Sequence, residues 1–350
     1  MAEDDLIRWL REQDEGLRQA LGDDVATTPA LSRPVATVDS QIAGVHFPPE
    51  LDSAHVARRL LAVNLSDLAA AGASPRWGLL SLAAPPAFDH RRFFRAFLAA
   101  SKVHGLQLLG GDLSSTEQLV ATLTAVGEAG DSGPLSRRGA APGHRLWVSG
   151  PLGLSAAGRH LLNAGATLNP PREQQAEKEL SDAQIQLPAK LPPELHELAR
   201  RCVLHHLLPR PHLALGQELA HLSQLGEGTT LATMDLSDGL ARDLPRMAAA
   251  SGTGAQMELA ALRQASGDEL FHQLCLWLQR DPLDLILRGG EDYCLLAALP
   301  TSWTFPRELC PPGCAPLAIG TCTSDPKLVL ASADGHHRPW PDGGWDHLGP

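Results

Sequence analysis

Arg59 to Pro75 read R-L-L-A-V-N-L-S-D-L-A-A-A-G-A-S-P, a run that sets Asn64, Ser66 and Asp67 inside an otherwise apolar helical pattern. An ionised carboxylate buried without a cation or strong donors costs several kcal/mol, comparable with the whole stability of a domain. A solvated helix face would carry Lys and Glu where this segment carries Ala and Leu. Asp67 therefore calls for a metal ion or a cationic partner.

Other acidic residues recur beside Gly or Ser: Gly22-Asp23-Asp24, Thr37-Val38-Asp39, Gly110-Gly111-Asp112, Asp235-Leu236-Ser237-Asp238-Gly239 and Gly289-Gly290-Glu291-Asp292. Each alone is also an ordinary spelling of a turn or a helix cap. Together, and mostly placed after strand-like runs, they predict loop ends that converge on a cluster of divalent cations.

The bulk properties narrow the partners. A chain of 350 residues has room for two domains, each with its own core. Its formal charge is −11 and its basic residues are dispersed, mostly arginines, so no stripe tracks phosphates and nucleic acid is not an expected partner. A small ligand carried in with Mg²⁺ fits better. The start, M-A-E-D-D-L-I-R-W-L, is acidic without an apolar signal region, and no run approaches the ~20 apolar residues of a membrane span. The expectation is a soluble, cytoplasmic protein. The six cysteines form no C-x-x-C pair, and reduced structural thiols are the expectation.

Strand and helix signals alternate along the chain. Strands are predicted at Val35–Ser40, Trp77–Ala84, Leu106–Leu109 running into Gly110-Gly111-Asp112, and Gln118–Glu128; helices at Ser53–Ala71 and Asp89–His104. The turn-rich stretch Ser132–Gly143 closes this unit, so the expected domains are 1–143 and 144–350. Residues 164–195, rich in Pro, Gln and Glu, read as a surface insertion. Beyond it come helices near Pro193–Leu208, His212–Leu222 and Ser237–Ser251, then strands at Thr230–Met234, Gln256–Leu259, Tyr293–Leu299, Pro316–Thr321 and Lys327–Ala331. This mixed order implies an α+β protein of two halves, each a mostly antiparallel sheet backed by helices.

Many carboxylates and glycines without an obvious nucleophile suit phosphoryl transfer, whose catalysis is mainly positioning and charge neutralisation by Mg²⁺. The usual nucleotide motifs are missing. None of the four lysines follows a glycine, so there is no Walker A loop. Arg242-Asp243-Leu244 faintly echoes a protein-kinase catalytic loop, but no D-F-G accompanies it, and it reads as ordinary helix.

The ordered motifs carry a resemblance along nearly the whole chain. They are G-D-D at Gly22, V-D-S-x-x-x-G-V-H-F from Val38, A-V-N-L-S-D-L-A-A-x-G-A from Ala62, G-G-D at Gly110, R-x-G-A-x-P-G from Arg137, D-L-S-D-G-L from Asp235, G-G-E-D-Y at Gly289 and W-D-H at Trp345. In these the chain resembles the thiamine-monophosphate kinase family, within the PurM-like superfamily of aminoimidazole ribonucleotide synthetase. G-G-E-D-Y and the aromatic-D-H ending point to the thiamine branch.

The resemblance implies a two-domain PurM-like fold, with a barrel-like, dimer-forming N-terminal sheet and a C-terminal α/β sandwich. It implies transfer of the ATP γ-phosphate to thiamine monophosphate in a homodimer, with several Mg²⁺ ions and a K⁺ requirement left open. By residue-level analogy Asp24, Asp39, Asp67, Asp112, Asp235 and Asp238 would ligate metal, with Thr37 and Val38 contributing backbone oxygens; Asp24, Asp67, Asp112 and Asp235 would serve catalysis. Gly111, Asp112, Arg137 and Ser237 would meet the nucleotide. His46, Glu291 and Trp345 would meet the acceptor, although His46 also reads as a strand-end cap and Trp345 as a core cover.

The pattern departs from the family at Val38, at Leu113-Ser114-Ser115 after G-G-D, and at His144 after Pro142-Gly143. Two other readings stay open: a non-catalytic ATP-Mg²⁺-binding regulator, and another ATP-dependent synthetase of the superfamily.

Overall fold

The computed structural model of the chain describes residues 3–13, 17, 21, 25–168, 185–226, 230–266 and 269–346. The chain forms two compact units, one drawn from Met1–Leu68 and Ala73–Ala129, the other from Ala69–Gly72, Gly130–Thr167 and Ile185–Pro350. Asp23 and Asp24 lie outside the described residues.

The first unit is a four-stranded sheet in the order β1 (Pro34–Ile42), β4 (Val120–Glu128), β2 (Ser74–Ala84), β3 (Gln107–Ser115). All pairs are antiparallel except β2 with β3. In β4 alternate residues are buried, so Ala121, Leu123, Ala125 and Gly127 line one face. Helices supply the other half of that core: α1 (Glu3–Gln13), α2 (Ser53–Ala70) and α3 (His90–Val103). Asp89 caps α3 by accepting the Arg92 amide at 2.9 Å, and buried Phe93 and Phe97 stack along it. The sheet is open. The barrel-like expectation is corrected to the extent that β1 and β3 are unpaired edges of this four-stranded order.

A second correction concerns Gly110-Gly111-Asp112, expected at the end of a strand. It lies inside β3, beside Leu79, Leu80 and Ser81 of β2. A Cβ on Gly111 would stand 1.7 Å from the Leu80 carbonyl oxygen, so the strands can approach this closely only because the residue is glycine.

The second unit holds a seven-stranded sheet in the order β13 (His337–Pro339), β12 (Leu328–Ala331), β9 (Gly254–Glu258), β11 (Leu317–Thr323), β5 (Arg145–Val148), β10 (Leu295–Leu299), β8 (Ala232–Asp235). Only β12 with β9 is parallel. The helices of this unit are α4 (Leu154–Asn163), α5 (His196–Leu207), α6 (Leu213–Leu225), α7 (Leu240–Ser251), α8 (Leu259–Gln264), α9 (Glu269–Trp277) and α10 (Pro282–Arg288). Leu215 and Leu219 of α6 pack with Leu295, Ala297, Leu299 and Phe305. The stretch 164–195 carries two-residue strands, β6 (Thr167–Leu168) and β7 (Ile185–Gln186), and a 3-10 turn at Pro193–Leu195; residues 169–184 lie outside the described residues. No helix among the described residues is long and apolar enough to cross a membrane.

Helices α4 and α5 meet at Gly158, where an added Cβ would sit 2.1 Å from the Cys202 carbonyl oxygen. Gly158→Ala is therefore expected to destabilise the second unit by about 1–3 kcal/mol, read as a lowered urea midpoint. A midpoint equal to that of the wild type would show that the helices part at no cost.

Candidate active site

In the first unit the apolar helix of Asp67 meets the edge strand of Asp39. Thr37 and Asp39 alternate with outward-facing Val38 on β1, so both side chains face α2. The Thr37 hydroxyl donates to the Asp67 carboxylate at 2.5 Å. The Asp39 amide donates to Asn64 Oδ1 at 3.1 Å, and Asn64 Nδ2 donates to the Leu60 carbonyl at 2.9 Å. Asn64 is fully buried, so its amide dipole is fixed at both ends. Thr37 is thus in contact with Asp67, and the main chain of Asp39 is tied to the same helix through Asn64. Asn64 was noticed there without a role.

Asp112 is placed differently. Ser40 pairs with Thr122, Thr122 with Ser81 and Ser81 with Asp112, so these four share a row. Ser40 and Thr122 join hydroxyls at 2.7 Å on the face away from Asp39. Asp112 belongs to that face and accepts the Ser114 hydroxyl at 3.0 Å. Three strand spacings, roughly 14 Å, separate its strand from that of Asp39. The expectation of converging loop ends is corrected here: Asp39 and Asp112 lie within strands and Asp67 within a helix. Among the described residues no group of three or more His, Cys, Asp or Glu is gathered as a metal site.

His46 follows β1 and accepts the Ile42 amide through Nδ1 at 3.0 Å, which caps the strand end. The Arg137 carbonyl accepts the Ser251 hydroxyl at 2.9 Å, and its side chain lies on an exposed segment.

The second unit brings three sequence motifs together. Strands β8 and β10 pair through Asp235 and Leu295, and the chain segments beyond them stay in register. The amides of Glu291 and Tyr293 donate to the Ser237 and Leu236 carbonyls at 2.7 and 2.9 Å, and the Trp345 amide donates to the Asp238 carbonyl at 2.8 Å. Asp235, Ser237, Asp238, Glu291 and Trp345 are therefore neighbours along one set of backbone hydrogen bonds. Glu291 and Tyr293 have φ of 58° and 49°, left-handed values rare in residues with side chains.

The carboxylates differ in their partners. Asp235 is buried at the end of β8. Asp238 pairs with Arg246 Nη1 at 2.6 Å, and the same nitrogen reaches Asp243 at 2.8 Å. Burial, reinforced by Asp238, pushes the Asp243 carboxyl up to about 6 against the pull of Arg246. Glu291 lies 3.2 Å from His206 Nδ1, which also meets the Ser155 hydroxyl at 3.1 Å. Sequence reading missed Arg246, took Asp243 as part of an ordinary helix and gave His206 no role; the four-residue spacing of Asp238, Arg242 and Arg246 was the available signal.

Residues 22–129 match the family described as AIR synthase related protein, N-terminal domain. That match shows an AIR synthase-related domain in the first part of the chain. Over 284 residues, 80% of this chain and 76% of the relative, the chain is 33% identical to the thiamine-monophosphate kinase of Salmonella typhimurium. The crystal structure of thiamine-monophosphate kinase from Stenotrophomonas maltophilia K279a superposes with a TM-score of 0.69 at 29% identity, covering 95% of this chain and 96% of that one. AaThiL complexed with AMPPCP and TMP gives 0.67 at 25% identity, with 99% and 97% covered. The chain belongs to the thiamine-monophosphate kinase family.

Asp292, next to Glu291, has a different task. Its carboxylate accepts the Gly153 amide at 3.0 Å and the Ser155 amide at 3.4 Å, at the start of α4. Burial nevertheless pushes its carboxyl up to about 7 from an ordinary 3.8. The native state then holds this proton more tightly than the unfolded chain, so this group's contribution to stability is full at low pH and falls between about pH 4 and about pH 7. Asp292→Asn, which keeps an acceptor for the amides, is expected to flatten that fall in urea midpoints taken across the window. An unchanged slope would assign the titration to another group.

Proposed function

We propose that the protein transfers the γ-phosphoryl group of ATP to thiamine monophosphate, giving ADP and thiamine diphosphate. The observation that carries this reading is the kinship with a ThiL chain complexed with AMPPCP, an ATP analogue, and TMP, together with the juxtaposed Asp235–Gly239 and Gly289–Tyr293 turns.

The chemistry asks little of a general base. The acceptor is a phosphate monoester whose second pKa is about 6, so its attacking oxygen is already deprotonated at neutral pH. The obstacle is repulsion between phosphates, roughly 1 kcal/mol per pair of unit charges at ~4 Å in water and about 4 at an effective dielectric of 20. Thr37, Asp39 and Asp67 would supply oxygen donors alone, the kind a hard cation such as Mg²⁺ prefers; the Thr37–Asp67 contact and the tie of Asp39 to the same helix support this reading. Bound Mg²⁺ would supply charge neutralisation and in-line alignment of the phosphates. Asp24, Asp112, Asp235, Asp238 and the Val38 carbonyl are the further ligands proposed. Asp238 is held by Arg246. We assign Gly111, Arg137 and Ser237 to the nucleotide phosphates, and His46, Glu291 and Trp345 to the acceptor. Glu291 presents a carboxylate suited to the cationic ring and amino group of thiamine, and Trp345 a half-exposed ring suited to stacking.

We also propose a homodimer built on the first sheet. On the face away from α2, Val38, Thr124 and Leu79 form one row, with Val38 58% and Leu79 49% exposed. Trp77 and Val126 extend this apolar surface. Val38→Arg combined with Leu79→Arg is expected to convert a dimer into a folded monomer in sedimentation equilibrium; a wild-type monomer would end this proposal.

ADP formation from ATP and Mg²⁺ is expected with thiamine monophosphate and not with thiamine, and Asp67→Asn is expected to lower turnover about a hundredfold or more. Tight Mg-ATP binding without turnover would favour the regulator reading, and turnover only with another acceptor would favour a sister synthetase.

A further inference from the structure

The last described segment is held down along its length by side-chain and main-chain hydrogen bonds. Trp340 Nε1 donates to the Ala241 carbonyl at 3.0 Å. That carbonyl lacks its helical donor because Pro245, four residues on inside α7, has no N–H. Arg288 Nε donates to the Asp342 carbonyl at 2.7 Å. Arg242 Nη1 donates to the Trp345 carbonyl and lies 3.3 Å from the Asp346 carboxylate. The Trp345 amide then closes onto the Asp238 carbonyl at 2.8 Å. Between these anchors Gly343 and Gly344 have φ of +128° and +100°; a Cβ would stand 2.6 Å from Arg288 Nε at the first and 2.7 Å from the Arg242 Cβ at the second. The strap passes over both arginines with no room for a side chain.

We propose that Arg242 and Arg288 are positioning residues that clamp this strap and so present the Trp345 ring to the ring system of the acceptor. The inference rests on the assignment of Trp345 to the acceptor made above. Each guanidinium is a rigid donor that grips a backbone carbonyl, so the ring is ordered by the main chain on either side of it. Ordering in the free protein removes an entropic cost from acceptor binding. Arg288 lies on α10 and is paired with Asp284 of its own helix, so its effect on the reaction runs through the strap.

The test uses the full chain and the variants Arg288→Ala, Arg242→Ala and Arg242→Lys. In hydrogen exchange, each alanine variant is expected to speed exchange of the Trp345 amide about tenfold or more. In steady-state kinetics, each is expected to raise KM for thiamine monophosphate about tenfold while KM for ATP stays within about twofold. Arg242→Lys, which keeps one donor, is expected to fall between wild type and Arg242→Ala in both readouts. Exchange unchanged in Arg288→Ala and Arg242→Ala would overturn the clamp. Faster exchange with an unmoved KM for thiamine monophosphate, or equal rises in both KM values, would overturn the positioning role. A wild-type chain that does not turn over thiamine monophosphate would instead overturn the acceptor assignment, with exchange still deciding whether the clamp exists.

Discussion

Two backbone hydrogen bonds, from the Glu291 amide to the Ser237 carbonyl and from the Tyr293 amide to the Leu236 carbonyl, govern the second unit's site. They carry the pairing of β8 with β10 past the ends of both strands, into turns that would otherwise be free to separate. The closeness they enforce explains the glycine at 290, where a Cβ would meet the Ser237 carbonyl at 2.9 Å. It also fixes two side-chain-bearing residues, Glu291 and Tyr293, in the left-handed region, at a cost of roughly 1–2 kcal/mol each. The hydrogen bonds and the cap made by Asp292 offset that cost.

The first unit reaches the same end through a helix. Asp39 sits on β1, an edge strand, and one outward amide of that edge is satisfied by Asn64 from α2 rather than by another strand. The bond sets the height of α2 against β1 and brings Asp67 onto Thr37 one turn of the helix further along. A buried polar side chain here orients a carboxylate, and the apolar residues around it keep the helix seated.

Sequence pattern made Asp67 legible because a lone acid in a run of Ala and Leu cannot be a solvated face. The strand and helix order was legible for the same kind of reason, since periodicity reports which face is buried. Gly110-Gly111-Asp112 was not. Glycines that permit close strand approach and glycines that end strands have the same spelling, and only the pairing of Gly111 with Leu80 separates them. The face chosen by Asp112 was equally hidden, because it depends on register shifts in β2 and β3. The grip of Arg242 and Arg288 on the strap was hidden for another reason: those contacts are to main-chain carbonyls, which leave no mark on the sequence. The spacing of Asp238 with Arg242 and Arg246 did leave one.

Adjacent carboxylates in G-G-E-D-Y illustrate how backbone conformation, rather than residue type, divides labour. Asp292 turns inward to cap α4, where two amide donors and the positive end of the helix receive it. Glu291, one residue earlier and left-handed, turns toward His206 with its side chain 21% exposed. An ordinary extended pair would also place its side chains on opposite faces, but it would leave the Glu291 amide out of reach of Ser237. The left-handed residue meets both requirements together: the amide stays bonded to the neighbouring turn while the carboxylate is released from the core. A glycine at 291 would adopt that backbone more readily but would carry no carboxylate to meet His206.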